Sequence, residues 1–187
     1  LLVAAARRGV DVGQLRNSLP RVAELPFDSE RKRMTTVHEL GRGAEVERWQ
    51  AAGEPAGMPY LAIVKGAVDG LLDISTQVWR NGGVQPMSAD QRARIVASND
   101  DLARNGMRVL GIAFRRLAAP QTADVEADLI FLGMTGMIDP PRAEVRDAVQ
   151  KCVAAGIRPV MITGDHPLTA SYIARDLGIA TNDLALT

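Results

Sequence analysis

Short apolar runs separated by polar turns fill the first 138 residues, a pattern that predicts β-strands with helices inserted between them. The runs "RVAELPF" (21–27) and "RMTTVHEL" (33–40) flank the polar "DSERK", so we expect a β-hairpin with a five-residue connection. The segment 41–59, rich in Gly, Glu and Pro, is expected to be a loop with one exposed strand around "VERWQ". Three more runs predict buried strands: "YLAIVKG" (60–66), "MRVLGIAFRRL" (107–117) and "DLIFLGMTGMID" (128–139).

Two helices are predicted in the same part of the chain. "LLVAAARR" at 1–8 is a short one that Gly9 ends. The segment 88–105 is a longer one, because Ser88 and the glutamine three residues later have the spacing of a capping box and Gly106 follows its last turn.

From residue 139 onward the pattern changes to helix, strand and helix in close succession. "RAEVRDAVQKCVAAG" (142–156) carries an apolar helical stripe and leads into the strand "IRPVMIT" (157–163). The stripe of the next helix is formed by Ala170, Ile173, Ala174 and Leu177. This α/β unit places Thr163-Gly164-Asp165 at the carboxyl end of its strand, where ligands of open parallel sheets bind.

Composition narrows the class of protein. The 187 residues are 47% hydrophobic, which is enough to bury a sizeable core. Twenty-two basic and 22 acidic residues give a formal charge of zero, so no broad field attracts nucleic acid and we expect no nucleic-acid partner. No apolar run approaches the ~20 residues that a membrane-spanning helix needs. The single cysteine excludes an intrachain disulfide, and no zinc-type Cys/His spacing, P-loop or nucleophile elbow occurs, so no metal site is predicted.

The triplet Thr163-Gly164-Asp165 admits two explanations. A strand that ends at a glycine and restarts as a helix exposes backbone N–H groups that favour a phosphate. An aspartate beside a phosphate is repelled unless a metal or a lysine lies between them. An ordinary tight turn followed by a capped helix is the commoner explanation of such a triplet.

The hairpin offers a second set of candidates. Phe27 precedes a strongly charged turn, where its ring could stack on a base, although the residues alone favour a place in the hairpin core. Arg31, Lys32 and Arg33 are expected by default to form a solvated turn.

Two strand ends carry further basic residues. Lys65 could meet a negative charge where Gly66 lets a ligand approach the backbone, but a lysine at a strand end is usually just solvated. Arg108 at a strand start is explained equally by a side chain that extends to solvent. The residues by themselves therefore indicate no more than a possible phosphate-binding α/β protein.

Five segments together resemble the cytoplasmic catalytic part of P-type cation-transporting ATPases, of the calcium type or a related one. They are "PFDSERKRMT" (26–35), "VKGAVDGLL" (64–72), "GMRVLGIAFR" (106–115), "GMIDPPRAEV" (136–145) and "MITGDHPLTASYIARDLGI" (161–179). The resemblance implies an α/β fold class. Residues 1–138 would be an α+β nucleotide-binding domain that lacks its N-terminal part, with an antiparallel sheet and flanking helices. Residues 139–187 would be a partial βα segment of a haloacid-dehalogenase-like phosphorylation domain.

The resemblance also implies roles in nucleotide binding. Phe27 matches the family's aromatic residue that stacks on adenine, and Lys32 and Lys65 match its two pocket lysines. Arg108 matches an arginine that reaches the nucleotide phosphates. The remaining pocket candidates are Ser29, Met34 and Gly66.

For catalysis, Thr163, Gly164 and Asp165 match the triplet that faces the terminal phosphate. The aspartate would then belong to a network of magnesium and lysine supplied mostly by other parts of the enzyme. Asp139 and Arg142 match the hinge between the two domains.

The implied cofactors are ATP and Mg²⁺, and the implied partners are ATP or ADP and the remaining phosphorylation, actuator and transmembrane domains of the same polypeptide. The full-length protein would lie in the cell membrane, with this soluble fragment on the cytoplasmic side. The family's "DKTGT" and "GDGxNDxP" motifs do not occur here, so the fragment is expected to bind nucleotide without hydrolysing it. Two alternatives stay open, a free-standing nucleotide-binding regulatory module and a haloacid-dehalogenase-type phosphatase.

Overall fold

A computed structural model describes residues 1–41, 58–138, 141–164 and 167–180. Within these ranges the helices are α1 (Leu2–Arg7), α2 (Val12–Ser18), α3 (Val68–Asp73), α4 (Ala89–Arg104), α5 (Ala143–Ala154) and α6 (Pro167–Asp176). The strands are β1 (Arg21–Asp28), β2 (Arg33–Glu39), β3 (Tyr60–Gly66), β4 (Ser75–Arg80), β5 (Gly83–Pro86), β6 (Arg108–Leu117) and β7 (Leu129–Met137). The expected strand around "VERWQ" lies outside the described residues.

The described strands form one open seven-stranded sheet in the order β1-β2-β3-β6-β7-β4-β5. The pairs β1–β2, β2–β3, β3–β6 and β4–β5 are antiparallel, whereas β4 and β7 run parallel. With its flanking helices this is a mixed α/β fold, as the sequence predicted. The hairpin, the three buried strands, α1, α4, α5 and α6 all lie where the pattern of apolar residues placed them.

Four elements were not predicted, namely α2, α3, β4 and β5. The β4–β5 hairpin had a readable signal, because Arg80 pairs with Gly83 and leaves the two-residue loop Asn81-Gly82. Both loop residues have positive φ, 54° and 80°, as the Asn-Gly turns that join short hairpins require.

The strand predicted at 157–163 does not form, and that prediction is wrong. No strand is assigned between Gly156 and Gly164, and no described strand pairs with this segment. Ile157, Val160 and Ile162 are exposed, with 94% of Ile162 accessible. A strand is stable only beside other strands, so an apolar sequence alone cannot hold the extended, paired conformation.

The chain divides into two compact units. Unit 1 comprises Leu1–Ala89 and Gly111–Gly133, and unit 2 comprises Asp90–Leu110 and Met134–Thr187. In unit 1 the alternation of β3 separates two apolar clusters: Leu61 and Ile63 pack with Phe114 and Ile130, while Tyr60 and Ala62 pack with Val37 and Leu117. Both sheet faces of unit 1 are therefore covered.

Unit 2 contains α4, α5 and α6. The hydroxyl of Thr169 in α6 donates a 3.0 Å hydrogen bond to the carbonyl of Met107, just beyond α4. Arg146 of α5 and Asp176 of α6 form an exposed ion pair of 2.8 Å. The residue Met107 that follows α4 is thus bonded to α6, and α6 is joined to α5.

Candidate functional site

The turn between β1 and β2 is held by its own aspartate. Asp28 Oδ1 accepts hydrogen bonds from the backbone N–H groups of Glu30 and Arg31, both at 2.9 Å. These two bonds, that of Arg31 first, lower the pKa of Asp28 because they stabilise its charged form. The turn therefore has a defined shape before any ligand is considered.

Lys32 ends this turn with its backbone fixed on both sides. Its N–H donates to the Asp28 carbonyl at 2.7 Å, and its own carbonyl accepts from the N–H of Ala67 at 3.1 Å. Its φ of 52° is in the left-handed region, which few residues other than glycine adopt. An uncommon backbone conformation that is held by several hydrogen bonds is typical of functional sites, where a side chain needs a defined direction.

Glu126, which lies between β6 and β7, holds the same turn from the other side. Its Oε1 lies 2.6 Å from Arg31 Nη1, and its Oε2 lies 2.7 Å from Arg33 Nε. The buried hydroxyl of Thr35 donates to Oε1 at 2.7 Å. The expectation of a solvated turn is therefore wrong for both arginines, because they share a carboxylate whose side chain is only 11% exposed.

The pKa of Glu126 lies below its ordinary value. Burial raises this pKa, but the hydrogen bonds from Arg31, Thr35 and Arg33 together outweigh burial. The pKa of Arg31 is raised in turn by its hydrogen bond to Glu126. The cluster is thus a network in which both oxygens of the Glu126 carboxylate accept hydrogen bonds and both arginines donate to it.

Strand register brings three of the predicted pocket residues into one row. Leu25 pairs with Thr35 and Asp28 with Arg33, so Pro26 and Phe27 together oppose the single residue Met34. This is a β-bulge, which suits a proline on an edge strand. Met34 in turn pairs with Lys65 of β3.

Phe27 is 65% exposed, so the interpretation of this residue as hairpin core is wrong. The bulge takes it out of the regular alternation that would have buried it. Ser29 and the side chain of Lys65 are exposed as well, and Met34 is half-buried. An exposed phenylalanine beside basic residues is available to stack on a ligand.

Gly66 is required by the packing of β2 against β3. A Cβ at this position would lie 2.5 Å from Arg33 Cβ and 2.6 Å from the Lys32 carbonyl oxygen. Gly66 also pairs with Arg33 in the sheet. Its lack of a side chain therefore keeps the Lys32 turn close to β3, whatever ligand approaches.

The lysines differ from the arginines beside them. Within the described part of the chain neither Lys32 nor Lys65 forms an ion pair, whereas Arg31 and Arg33 are neutralised by Glu126. Along the triplet 31–33, the two arginines are tied into the fold and the lysine between them is free to meet a ligand's negative charge.

The other predicted residues lie in or beside unit 2. Arg108, the first residue of β6, is exposed, as are Thr163 and Gly164 in the segment before α6. Arg142 is the N-cap of α5, a position where its charge opposes the helix dipole and where it makes no capping hydrogen bond. Asp139 and Asp165 lie outside the described residues.

Glu126 was missed by the sequence reasoning. It is 95 residues from Arg31, and a lone glutamate in "VEADL" has no local pattern that connects it with the hairpin. Only the sheet order, which brings the end of β6 to the side of β3 and β2, could have revealed it.

Among the described residues there is no group of three or more His, Cys, Asp or Glu side chains placed to hold a metal ion. None of their helices is long and apolar enough to cross a membrane.

Comparison with known proteins identifies relatives over nearly the whole chain. The family model "P-type ATPase, cytoplasmic domain N" matches residues 1–144. A calcium-transporting ATPase 1 of Bacillus cereus is 38% identical over 96% of this chain and 19% of its own length. A calcium-transporting ATPase of Bacillus subtilis is 37% identical over 95% of the chain and 18% of its own length. A sodium/potassium-transporting ATPase alpha subunit of Tetronarce californica is 36% identical over 90% and 16%.

The chain thus spans about a fifth of the length of the curated relatives that it matches. The family match covers well over half of the chain and includes the hairpin, the "KGA" segment and the start of β6. On this evidence the chain belongs to the family of P-type cation-transporting ATPases.

Proposed function

We propose that unit 1 binds ATP or ADP on the side of the sheet where Phe27, Met34 and Lys65 form one row. The exposure of Phe27, in a bulge opposite Met34, is the observation that carries this proposal. The adenine stacks on the phenyl ring, and the thioether of Met34 forms the floor beside it. Ser29, in the same turn, is exposed and contributes a hydroxyl, and Gly66 keeps the Lys32 turn close to β3.

The phosphates are placed near the lysines in this proposal. Lys32 and Lys65 carry ammonium groups that no described carboxylate neutralises, so they can meet the negative charges of the nucleotide. The rigid backbone on either side of Lys32 limits the entropy that binding would otherwise cost. Arg108 belongs to unit 2, and its match to a phosphate-binding arginine of the family stays a prediction.

The test is a calorimetric titration of ADP into the chain and into Phe27→Ala. Stacking on an aromatic side chain is worth about 1–3 kcal/mol, so the dissociation constant should rise by roughly 5- to 150-fold. Val22→Ala is the matched control, because Val22 is an exposed apolar residue of the same strand. If Phe27→Ala and Val22→Ala bind ADP as tightly as the unsubstituted chain, the stacking role is wrong.

The lysines are tested by comparing ligands. Lys32→Ala and Lys65→Ala should weaken ATP binding and leave the weaker binding of adenosine nearly unchanged, because adenosine has no phosphates. Equal losses for ATP and adenosine would place both lysines away from the phosphates.

For the longer protein, we propose a pump that transfers the terminal phosphoryl group of ATP to its own aspartate and couples this step to cation transport across a membrane. In it, residues 1–138 form most of the nucleotide-binding domain and 139–187 begin the phosphorylation domain, both on the cytoplasmic side. Thr163, Gly164 and Asp165 face the terminal phosphate, and Asp139 and Arg142 form the hinge. The ligands of the magnesium ion lie mostly in the rest of the polypeptide, which also supplies the actuator and transmembrane domains.

This second proposal is tested on the chain and on a longer one. The 187-residue chain should release no phosphate from ATP, since it lacks an acceptor aspartate of the "DKTGT" type. A longer chain with that segment and the downstream aspartate motif should form an acid-stable phosphoenzyme, which Asp165→Asn impairs. Magnesium-dependent phosphate release by the 187-residue chain, after removal of contaminating ATPases, would defeat the proposal.

A further inference from the structure

The carboxylate of Glu126 is connected through hydrogen bonds to residues next to Phe27 and to residues next to Lys32. It does not contact Phe27 or Lys32 directly. Toward β1, it binds Arg31, whose Nη2 donates to the carbonyl of Pro26 at 2.9 Å, and Pro26 precedes Phe27 in the bulge. Loss of either of these two hydrogen bonds would leave the backbone next to Phe27 less constrained.

Toward β2, Glu126 binds Arg33 and Thr35. Arg33 follows Lys32 directly, and its backbone lies against Gly66 so closely that no side chain fits between them. Arg33 Nη1 also donates to the carbonyl of Arg31 at 3.2 Å, which ties the two arginines to each other. The backbone of Lys32 is thus fixed from the residues on both of its sides.

We propose that Glu126 is a positioning residue for nucleotide binding, acting through Arg31 and Arg33 to hold the turn that presents Phe27 and Lys32. This inference rests on the proposed binding of adenine nucleotide by unit 1. Without the negative charge, two guanidinium groups of like sign would face each other at 19–32% exposure, and the turn would lose the bonds that close it onto the sheet.

The first experiment measures ADP affinity in Glu126→Gln, which keeps the shape of the side chain and removes its charge. We expect the dissociation constant to rise by about three- to tenfold, because ordering the turn would then oppose binding. Glu24→Gln is the matched control, since Glu24 forms a 2.6 Å ion pair with Arg21 at the far end of β1. Unchanged ADP affinity in Glu126→Gln would overturn the proposal.

A double-mutant cycle separates positioning from general destabilisation. If Glu126 acts by placing Phe27, its substitution should matter much less once the ring is removed, so Phe27→Ala/Glu126→Gln should bind ADP nearly as Phe27→Ala does. If Glu126→Gln weakens binding by the same factor with and without the phenyl ring, Glu126 does not act through Phe27 and the proposal fails.

Hydrogen exchange tests the turn without any nucleotide. The Lys32 amide, bonded to the Asp28 carbonyl, should exchange faster in Glu126→Gln, while the amides of β3 keep their protection. Unchanged exchange at Lys32 would also overturn the positioning role. If Glu126→Gln does not fold, Arg31→Gln removes one ion pair at a more exposed position and should show the same two effects.

These readouts keep the two hypotheses apart. If the unsubstituted chain does not bind ADP, the proposed function has failed. Faster exchange at Lys32 in Glu126→Gln would then show that Glu126 stabilises the turn but has no role in nucleotide binding. If the unsubstituted chain binds ADP and Glu126→Gln binds it equally well, only the role of Glu126 is wrong.

Discussion

The hairpin turn at 28–35 and the segment at 157–164 were both singled out from sequence as ligand-binding, yet they differ in how much of their structure the chain itself supplies. The hairpin has a paired strand on each side and a carboxylate from a distant loop that neutralises its arginines. In the segment before α6, no described strand pairs with residues 157–163, and Ile162 is 94% exposed. A sequence motif therefore adopts a defined conformation where paired strands and bonded side chains surround it.

The largest expected contrast compares two aliphatic residues, one from each region. Leu61→Ala in β3 should lower the free energy of unfolding by about 2–5 kcal/mol, because Leu61 is 1% exposed and its removal leaves a cavity. Ile162→Ala should change it by less than about 0.5 kcal/mol, since that side chain contacts mainly solvent. Urea unfolding followed by circular dichroism measures both. A loss above 2 kcal/mol in Ile162→Ala would show that the segment is packed.

A smaller contrast compares two glycines. Gly66→Ala should cost about 1–3 kcal/mol, because its Cβ would lie within 2.6 Å of Arg33 and of the Lys32 carbonyl. Gly164→Ala should be nearly neutral, since no atom of the described residues lies within 4 Å of the position that its Cβ would take. The same unfolding assay applies, and ADP affinity of Gly66→Ala should fall with the displaced turn. Equal stability of the two variants would mean that β2 and β3 can separate without cost.

The strands of unit 1 could be predicted from sequence because the decisive information is local. Alternating or continuous apolar residues predict β1, β2, β3, β6 and β7. Each of these strands pairs with a neighbour in the sheet, as a strand needs. The short hairpin β4–β5 escaped because β5 has four residues, although its Asn-Gly turn was visible. The failure at 157–163 has the opposite cause, since apolar composition indicates a strand only where other strands lie beside it.

The candidate site was predictable in part. Family resemblance names Phe27, Lys32 and Lys65 as candidates, and the strand register aligns the first and last in one row through the bulge opposite Met34. The exposure of Phe27 was not predictable from alternation, because a bulge shifts the register by one residue. Glu126 was beyond reach, since its bonds to Arg31 and Arg33 join residues more than 90 positions apart.

The smallest expected effect is a loss of folding stability at low pH. The pKa of Glu126 lies below its ordinary value in the folded chain, with burial opposing the shift and the bonds from Arg31, Thr35 and Arg33 producing it. The folded state therefore binds fewer protons than the unfolded state near the ordinary glutamate pKa of about 4.3, so stability falls as pH decreases through that range. Asp28, whose pKa is lowered by the N–H groups of Arg31 and Glu30, contributes with the same sign.

The stabilisation from Glu126 is fully present above the unfolded pKa and is lost as pH falls through the folded pKa. Unfolding in urea at about pH 7 and about pH 3.5 should show Glu126→Gln less stable than the unsubstituted chain at the higher pH, with a gap that narrows at the lower pH. Glu24→Gln, which removes an exposed pair, should show almost no gap at either pH. A gap for Glu126→Gln that stays constant between the two pH values would mean that the bonds to the arginines do not depend on the carboxylate charge. The hairpin would then be held by hydrogen bonds and packing that do not need this charge.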